Sequence, residues 1–394
     1  MTVPIPPPSK RINSIDILRG MIMVVMALDH VRDYFSGFKY EPTDLQHAGT
    51  IMFFTRWITH FCAPTFIFLS GTSAFLSMGK GKTLRQQSWQ LLTRGLWLIV
   101  LEMTVVRYGW MFDMDYRLIF LQVIWAIGVS MVVLSALIFL PRQLILTIGL
   151  AMIFGHDLMD NFHPSTGMMA LWDFLHVQGP ITYGQDNTIF IIYPLIPWVG
   201  VMAVGFCFGE VFGETKMIRH ETLYLIGAIT LVLFVLMRVI NTYGDPSPWQ
   251  QQENWWRTLL SMLNCSKYPP SLLYLLMTLG GSVTVLAAFE SAEDKRAKRA
   301  ESEIAEGIAA KFFMVYGKVP LFYYILHIYL VHGLALLGSQ LFNGGEAVGP
   351  FHHPGYPLWI VYVIWIAVVA ILYFPCRWFM RVKQNRRKWW LSYL

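Results

Sequence analysis

Residues 14–35, SIDILRGMIMVVMALDHVRDYF, decide how the rest of the chain is read. The run is long and apolar enough to cross a hydrocarbon layer of about 30 Å. It nevertheless carries Asp16 and Arg19 at one end and Asp29, His30, Arg32 and Asp33 at the other. No small-residue cleavage site ends it, so it reads as a retained first span preceded by a Pro-rich tail, not as a signal peptide. Similar apolar runs recur along the 394 residues, of which 55% are hydrophobic and 14% charged. Soluble domains carry about 25% charged residues. A soluble enzyme, a disordered chain and a disulfide scaffold are therefore excluded, and the fold class expected is an all-α, polytopic transmembrane helical bundle.

The hydropathy pattern predicts about ten spans, at 15–36, 51–78, 87–107, 118–140, 143–159, 188–212, 221–240, 270–290, 311–338 and 358–379. The net charge of +6 is distributed asymmetrically. With the N-terminus inside, Lys10, Arg11, Lys80, Lys82, Arg85, Arg142, Lys216, Arg219, the 295–299 cluster and the tail from Arg377 fall on one side. The loops 160–187 and 339–357 hold no Lys or Arg. Cations retained in the cytoplasm produce this bias, which predicts both termini there and a multi-pass plasma (bacterial inner) membrane protein. The domain organisation expected is a cytoplasmic tail over 1–14, one transmembrane domain over 15–380 and a basic tail over 381–394. That domain includes an outer loop, 241–269, and a charged cytoplasmic loop, 291–310. The four cysteines show no CxxC spacing, so neither a disulfide nor a metal site is expected.

Charges inside spans are costly, and they mark candidate functional positions. Helical spacing places Asp16, Arg19, Met23, Met26 and His30 on one stripe of the first span, with Asp16 and His30 about 21 Å apart along the axis. Asp16 and Arg19 also have the spacing of a simple i, i+3 pair. The second span carries His60 shortly before Pro64, and its Ser70–Ser73 patch allows close helix packing. The ninth places Tyr323 and Tyr324 one turn before His327, with His332 read as interfacial. Imidazole suits proton transfer near neutrality, and a neighbouring Tyr can orient it. In the outer loop, Trp249, Trp255 and Trp256 read either as an interfacial belt or as a lid that stacks on an acceptor. GxSxG, GxxxxGK[ST] and HExxH are all absent. The residues leave acyl transfer and proton-coupled transport both open.

Several patches resemble one family. Arg11, Ser14, Ile15, Asp16, Arg19 and Gly20 resemble the opening of the heparan-alpha-glucosaminide N-acetyltransferase family and its bacterial relatives. Phe61, Pro64, Phe66, Phe68, Gly71 and Phe75–Met78 resemble its second helix, and Gly317, Tyr324 and His327 reproduce a Gly, Tyr, His pattern with its spacing. Tyr193–Trp198, Gly200 and the KYPPSL run from Lys267 to Leu272 look like motifs of the bacterial branch.

The resemblance implies a transmembrane acyltransferase that takes an acyl group, typically acetyl, from cytoplasmic acyl-CoA. The group would pass to an amine or hydroxyl of a sugar or glycan on the outer side. Gln46, His47, Ala48 and Gly49 partly resemble the family's His-Ala-Ser context, and His30 stands where the family carries Asn, so both histidines are candidates for the base. The expected catalytic set is His30, Asp29, His47, His327 and Tyr324, with Asp29 or Asp33 orienting His30. Asp16, Arg19, Lys80 and Lys82 are expected toward acyl-CoA, and Trp255, Trp256 and His60 toward the acceptor. A direct transfer and an acyl-histidine intermediate both fit. The partners implied are membrane lipid, acyl-CoA and the acceptor, with no nucleic acid and with a homodimer compatible. The alternative is a proton-coupled transporter or flippase that uses the same groups as a relay.

Overall fold

The structure, a computed structural model, describes residues 12–37, 40–78, 81–299, 307–342, 344–345, 349, 355–386 and 391. Lys80 and most of the two tails and of the charged loop's centre lie outside the described residues. In chain order the helices begin with α1 (Asn13–Phe35), α2 (Thr50–Thr59), α3 (Cys62–Leu76) and α4 (Leu84–Leu101). A π-helical turn at Glu102–Val106 continues α4 into α5 (Arg107–Met111). Then come β1 (Leu118–Leu121), α6 (Val123–Leu137), α7 (Arg142–Gly155), α8 (Met169–Leu175), β2 (Gly179–Tyr183) and β3 (Asn187–Ile191). The remaining helices are α9 (Leu195–Phe208), α10 (Lys216–Ile240), α11 (Trp255–Leu263), α12 (Leu272–Arg299), α13 (Ile308–Lys318), α14 (Pro320–Phe342) and α15 (Leu358–Asn385).

Among the described residues, six helices are long and apolar enough to cross a membrane: Leu84–Met111, Leu195–Gly213, Lys216–Ile240, Leu272–Glu293, Pro320–Phe342 and Leu358–Asn385. Helix α1 has the length, but Asp16, Arg19, Asp29, Arg32 and Asp33 set it apart from those six. Two predicted spans are broken where proline dictates. The 51–78 run splits at His60 and Phe61, and Pro64 falls in the first turn of α3, where a missing N–H costs nothing. The 311–338 run splits at Val319, because Pro320 opens α14 and disfavours helical backbone in the residue before it. Two further runs begin in strands, so the chain is mostly helical and not purely so. β1 pairs parallel to β3, and β2 pairs antiparallel to β3. The β-branched and aromatic content of 118–121 and 187–191 favours extended backbone once a partner strand is available.

The chain divides into two compact units. Of the described residues, one comprises 12, 63–103 and 115–291. Within it α3 and α9 cross at Gly71 and Gly205, where an added Cβ would lie 2.1 Å from the Met202 carbonyl oxygen and 2.2 Å from that of Phe68. Its 241–269 loop folds around Arg238, which is 1% exposed. The guanidinium donates to the carbonyls of Ser247, Ser261, Met262 and Asn264 at 2.7–3.2 Å. Trp249 returns an indole N–H to the Arg238 carbonyl at 2.7 Å.

The second unit comprises 13–62, 104–114 and 292–394. Here α1 and α13 approach most closely. A Cβ on Gly20 would meet the Phe313 carbonyl oxygen at 1.8 Å, and one on Gly317 would meet that of Asp16 at 1.8 Å. Small residues permit such backbone contact between apolar helices. Tyr316 Oη donates to the Val369 carbonyl at 2.9 Å and Trp365 Nε1 to that of Val24 at 2.8 Å, tying α15 to α13 and α1.

Candidate active site

In the second unit α1, α5 and α14 bring together aromatic and imidazole rings around His30. His30 Nδ1 lies 2.6 Å from His327 Nε2, although the two are 297 residues apart in the chain. His327 is fully buried, and its Nδ1 is 3.1 Å from the carbonyl oxygen of Tyr323, one turn earlier. A carbonyl oxygen only accepts, so His327 Nδ1 carries the hydrogen and, in the neutral ring, Nε2 is an acceptor. The proton between the two rings therefore belongs to His30 Nδ1, and the lone pair of neutral His30 is on Nε2. The hydrogen-bond network thus assigns both tautomers. This is the polarity a general base requires, with one nitrogen held by a donor–acceptor chain and the other basic.

Aromatic rings frame the pair. Trp110 stands edge-on to His30 at 4.9 Å between centroids, Tyr324 at 6.2 Å, and Tyr323 stacks on His327 at 5.2 Å. Tyr34 donates to the Trp110 carbonyl at 2.7 Å, which fixes the short helix α5 against α1. His332, read from the sequence as interfacial, is instead buried at 1% exposure. It stacks on Phe112 at 4.0 Å, and its Nδ1 donates to the Gly109 carbonyl at 3.0 Å. The α14 face opposite α5 is closed by these rings, which the helical spacing of His332 relative to His327 did not reveal.

Asp29 is held by Arg56, Thr59 and Arg32. Arg56 Nη1 reaches both its oxygens at 2.8 Å, Thr59 Oγ1 donates at 2.9 Å, and Arg32 Nη2 is 2.6 Å away. Arg32 also holds Asp33 at 2.8 Å. Two guanidiniums thus surround a carboxylate that is 8% exposed, and the one from Arg56 clamps α2 onto α1. Removing one partner of a buried pair costs about 3–5 kcal/mol, with the low end expected here because Arg32 remains. Arg56→Ala should therefore lower the melting temperature by several degrees, whereas Arg56→Lys keeps part of it. A thermal unfolding midpoint unchanged for Arg56→Ala would show that the clamp contributes nothing.

Among the described residues, the other expected positions each have partners of their own. Asp16 and Arg19 pair at 3.2 Å, and Arg19 also donates to the Gly317 carbonyl at 3.3 Å. His47 is exposed, stacks on Tyr40 at 5.7 Å, and donates from Nδ1 to Asp44 at 2.6 Å. That hydrogen bond holds the Asp44 carboxyl below its usual range. His60 is buried at the α2–α3 junction, Lys82 contacts Gln90, and Trp255 packs edge-on against Trp256 with 77% exposure. The structure therefore joins His30, His327 and Tyr324. Trp110, beside His30, and Arg56, beside Asp29, are residues that sequence reading did not single out. Trp110 sits among many aromatics and Arg56 among apolar residues, so neither carried a distinguishing pattern. Among the described residues no group of three or more His, Cys, Asp or Glu side chains is arranged to hold a metal ion.

The first unit holds a separate His–Asp pair in the 160–187 loop. His176 Nε2 donates to Asp160 at 2.9 Å. Burial lowers the His176 pKa below its ordinary value, against the pull of Asp160. Burial, followed by the charge of Asp157, raises that of Asp160. The unfolded chain then binds a proton at His176 more readily than the folded one. Its stabilising contribution is full above about pH 6.5 and falls as the pH drops below that value. Asp160 acts in the opposite sense: its contribution is full below about pH 4 and is lost as the pH rises through its raised value. Hydrogen exchange across 160–177, corrected for intrinsic rate, should rise on acidification from pH 7.5 to 5.5. The rise should vanish in His176→Gln.

Comparison with known protein families gives a match. Residues 11–238 correspond to the family described as heparan-alpha-glucosaminide N-acetyltransferase, catalytic. The match spans more than half of the 394 residues and includes His30, and it ends before α14 and His327. No curated protein matches the chain.

Proposed function

The chain belongs to the heparan-alpha-glucosaminide N-acetyltransferase family, and from that membership we propose that it transfers an acetyl group from acetyl-CoA to the amine of a sugar, with His30 as general base. The observation that carries the reading is the chain Tyr323 carbonyl, His327, His30, which makes Nε2 the basic nitrogen of His30. The acceptor amine attacks the thioester carbonyl carbon while His30 Nε2 takes its proton. The carbon–sulfur bond breaks, and the proton passes to the departing thiolate. His327 stabilises the imidazolium by accepting the hydrogen of His30 Nδ1, and Tyr324 donates to the developing oxyanion. Direct transfer needs no protein nucleophile, in keeping with the absence of a GxSxG motif. Arg19, held by Asp16, is assigned to the donor's phosphates and His60 to the acceptor.

The test uses the purified full chain with radiolabelled acetyl-CoA and a methyl glucosaminide. Acceptor-dependent release of free CoA, label in the sugar and thermal stabilisation by acetyl-CoA are the expected results. Absence of both stabilisation and CoA release at millimolar acetyl-CoA would overturn the reading. Ion-dependent flux of the sugar across vesicles without CoA consumption would establish the transporter in its place.

A further inference from the structure

The stretch 156–176 of the first unit is built inside out. Its ionisable side chains turn inward: His156 and His176 are 1% and 3% exposed, and His156 Nδ1 lies 2.9 Å from Asp157. Asp157 also accepts from the backbone N–H of Leu272, at the start of α12, at 3.1 Å. His176 ties Asp160 back across the stretch, and Trp172 packs against Phe162 at 5.1 Å and His176 at 4.9 Å. Leu158, Phe162, Met168, Met169 and Leu171 are left 52–74% exposed, and α8 buries none of its residues. Water favours the opposite arrangement, with apolar side chains inside and charges outside.

What covers this surface follows from the helices beside it. Helix α7 has 14 residues and rises about 21 Å, short of a hydrocarbon layer of about 30 Å. The partly exposed Arg142–Glu210 pair fixes the start of α7 in the headgroup layer. Gly155 therefore stops short of the opposite boundary, and the stretch after it begins at hydrocarbon depth. Tyr243 donates to the Phe154 carbonyl and joins this end of α7 to the end of α10, a helix long and apolar enough to cross a membrane. Val235, Leu236, Val239 and Ile240 keep α10 apolar and exposed to its last residue, so its outward surface ends beside Phe154, itself exposed, with Leu158 one turn further on. At the same end, Arg238 holds α11 through Ser261, and Trp255 of α11 is exposed, as belt tryptophans are. From Gln143 to Asn187 the chain has no Lys or Arg that would draw it to anionic headgroups. We propose that residues 156–172 are seated in the lipid leaflet, with Leu158, Phe162, Met168, Met169 and Leu171 against the acyl chains of zwitterionic lipid.

The test uses the full-length chain in phosphatidylcholine nanodiscs, with a nitrobenzoxadiazole probe attached at Met169→Cys, Leu171→Cys or Gln185→Cys. Gln185 is exposed in the polar turn between β2 and β3 and supplies the aqueous reference. The four native cysteines are buried, and the parent treated in the same way gives the background. Probes at 169 and 171 should be quenched by a nitroxide near the top of the lipid acyl chain and should be several-fold less sensitive to iodide than the probe at 185. Equal iodide quenching at all three positions, with no lipid quenching at 169 and 171, would overturn the proposal. So would shielding of 169 and 171 from both quenchers together with disulfide-linked dimers through Leu171→Cys, which would seat a second copy of the chain on this surface. The measurements contain no acetyl-CoA, so either result leaves the transferase reading untouched.

Discussion

With His30 replaced by alanine, turnover in acetyl transfer falls by about a hundred- to ten-thousand-fold, while the Michaelis constant for acetyl-CoA stays within about twofold. The loss falls on turnover because the base acts on the acceptor's proton in the transition state and contributes little to holding the donor. His327 acts through His30, so its variants should separate by hydrogen-bonding capacity. His327→Gln retains an oxygen that can accept from His30 Nδ1 and should keep more activity than His327→Leu. The acidic limb of the pH–rate profile should move between these two variants, since each leaves a different partner for the imidazolium. Steady-state kinetics of CoA release decide both points. Full turnover in His30→Ala would remove His30 from the mechanism, and equal loss in Gln and Leu variants would reduce His327 to packing.

A side chain at either glycine of the α1–α13 crossing should strain the packing of the second unit. A Cβ at Gly20 or Gly317 would lie 1.8 Å from a backbone oxygen, where about 3.4 Å is ordinary contact, and backbone cannot give way as a flexible side chain can. Replacing helical glycine by alanine gains about 1 kcal/mol of propensity. Overpacking costs about 1–3 kcal/mol and more where backbone must move, so the clash wins. Gly317→Ala should lower the melting temperature by roughly 10 °C, and Gly317→Leu should yield no monodisperse protein. Gly333, on α14, faces open space, with nothing within 4 Å of where a Cβ would project, and supplies the control. Gly333→Ala should be neutral or slightly stabilising. A Gly317→Ala protein that melts with the parent would show that α1 and α13 can separate without loss of fold.

Helical periodicity is a local property, and it was enough to place Asp16, Arg19 and His30 on one stripe of α1 and Tyr323 and Tyr324 one turn before His327. Apolar run length was enough for a membrane-embedded, mostly helical chain, but the 51–78 and 311–338 runs were read as single spans, and only the structure shows their breaks before Pro64 and at Pro320. Local spacing could not say which face of α1 meets α14, because that depends on how closely distant helices approach. The contact of Gly20 with Gly317 sets the approach of α1 to α13, and only the folded chain shows that His30 meets His327 while Asp29 turns to Arg56 and Thr59. The basic nitrogen of His30 is decided in the same way. A tautomer follows from the partners around a ring, and here they come from a helix 297 residues away in the chain.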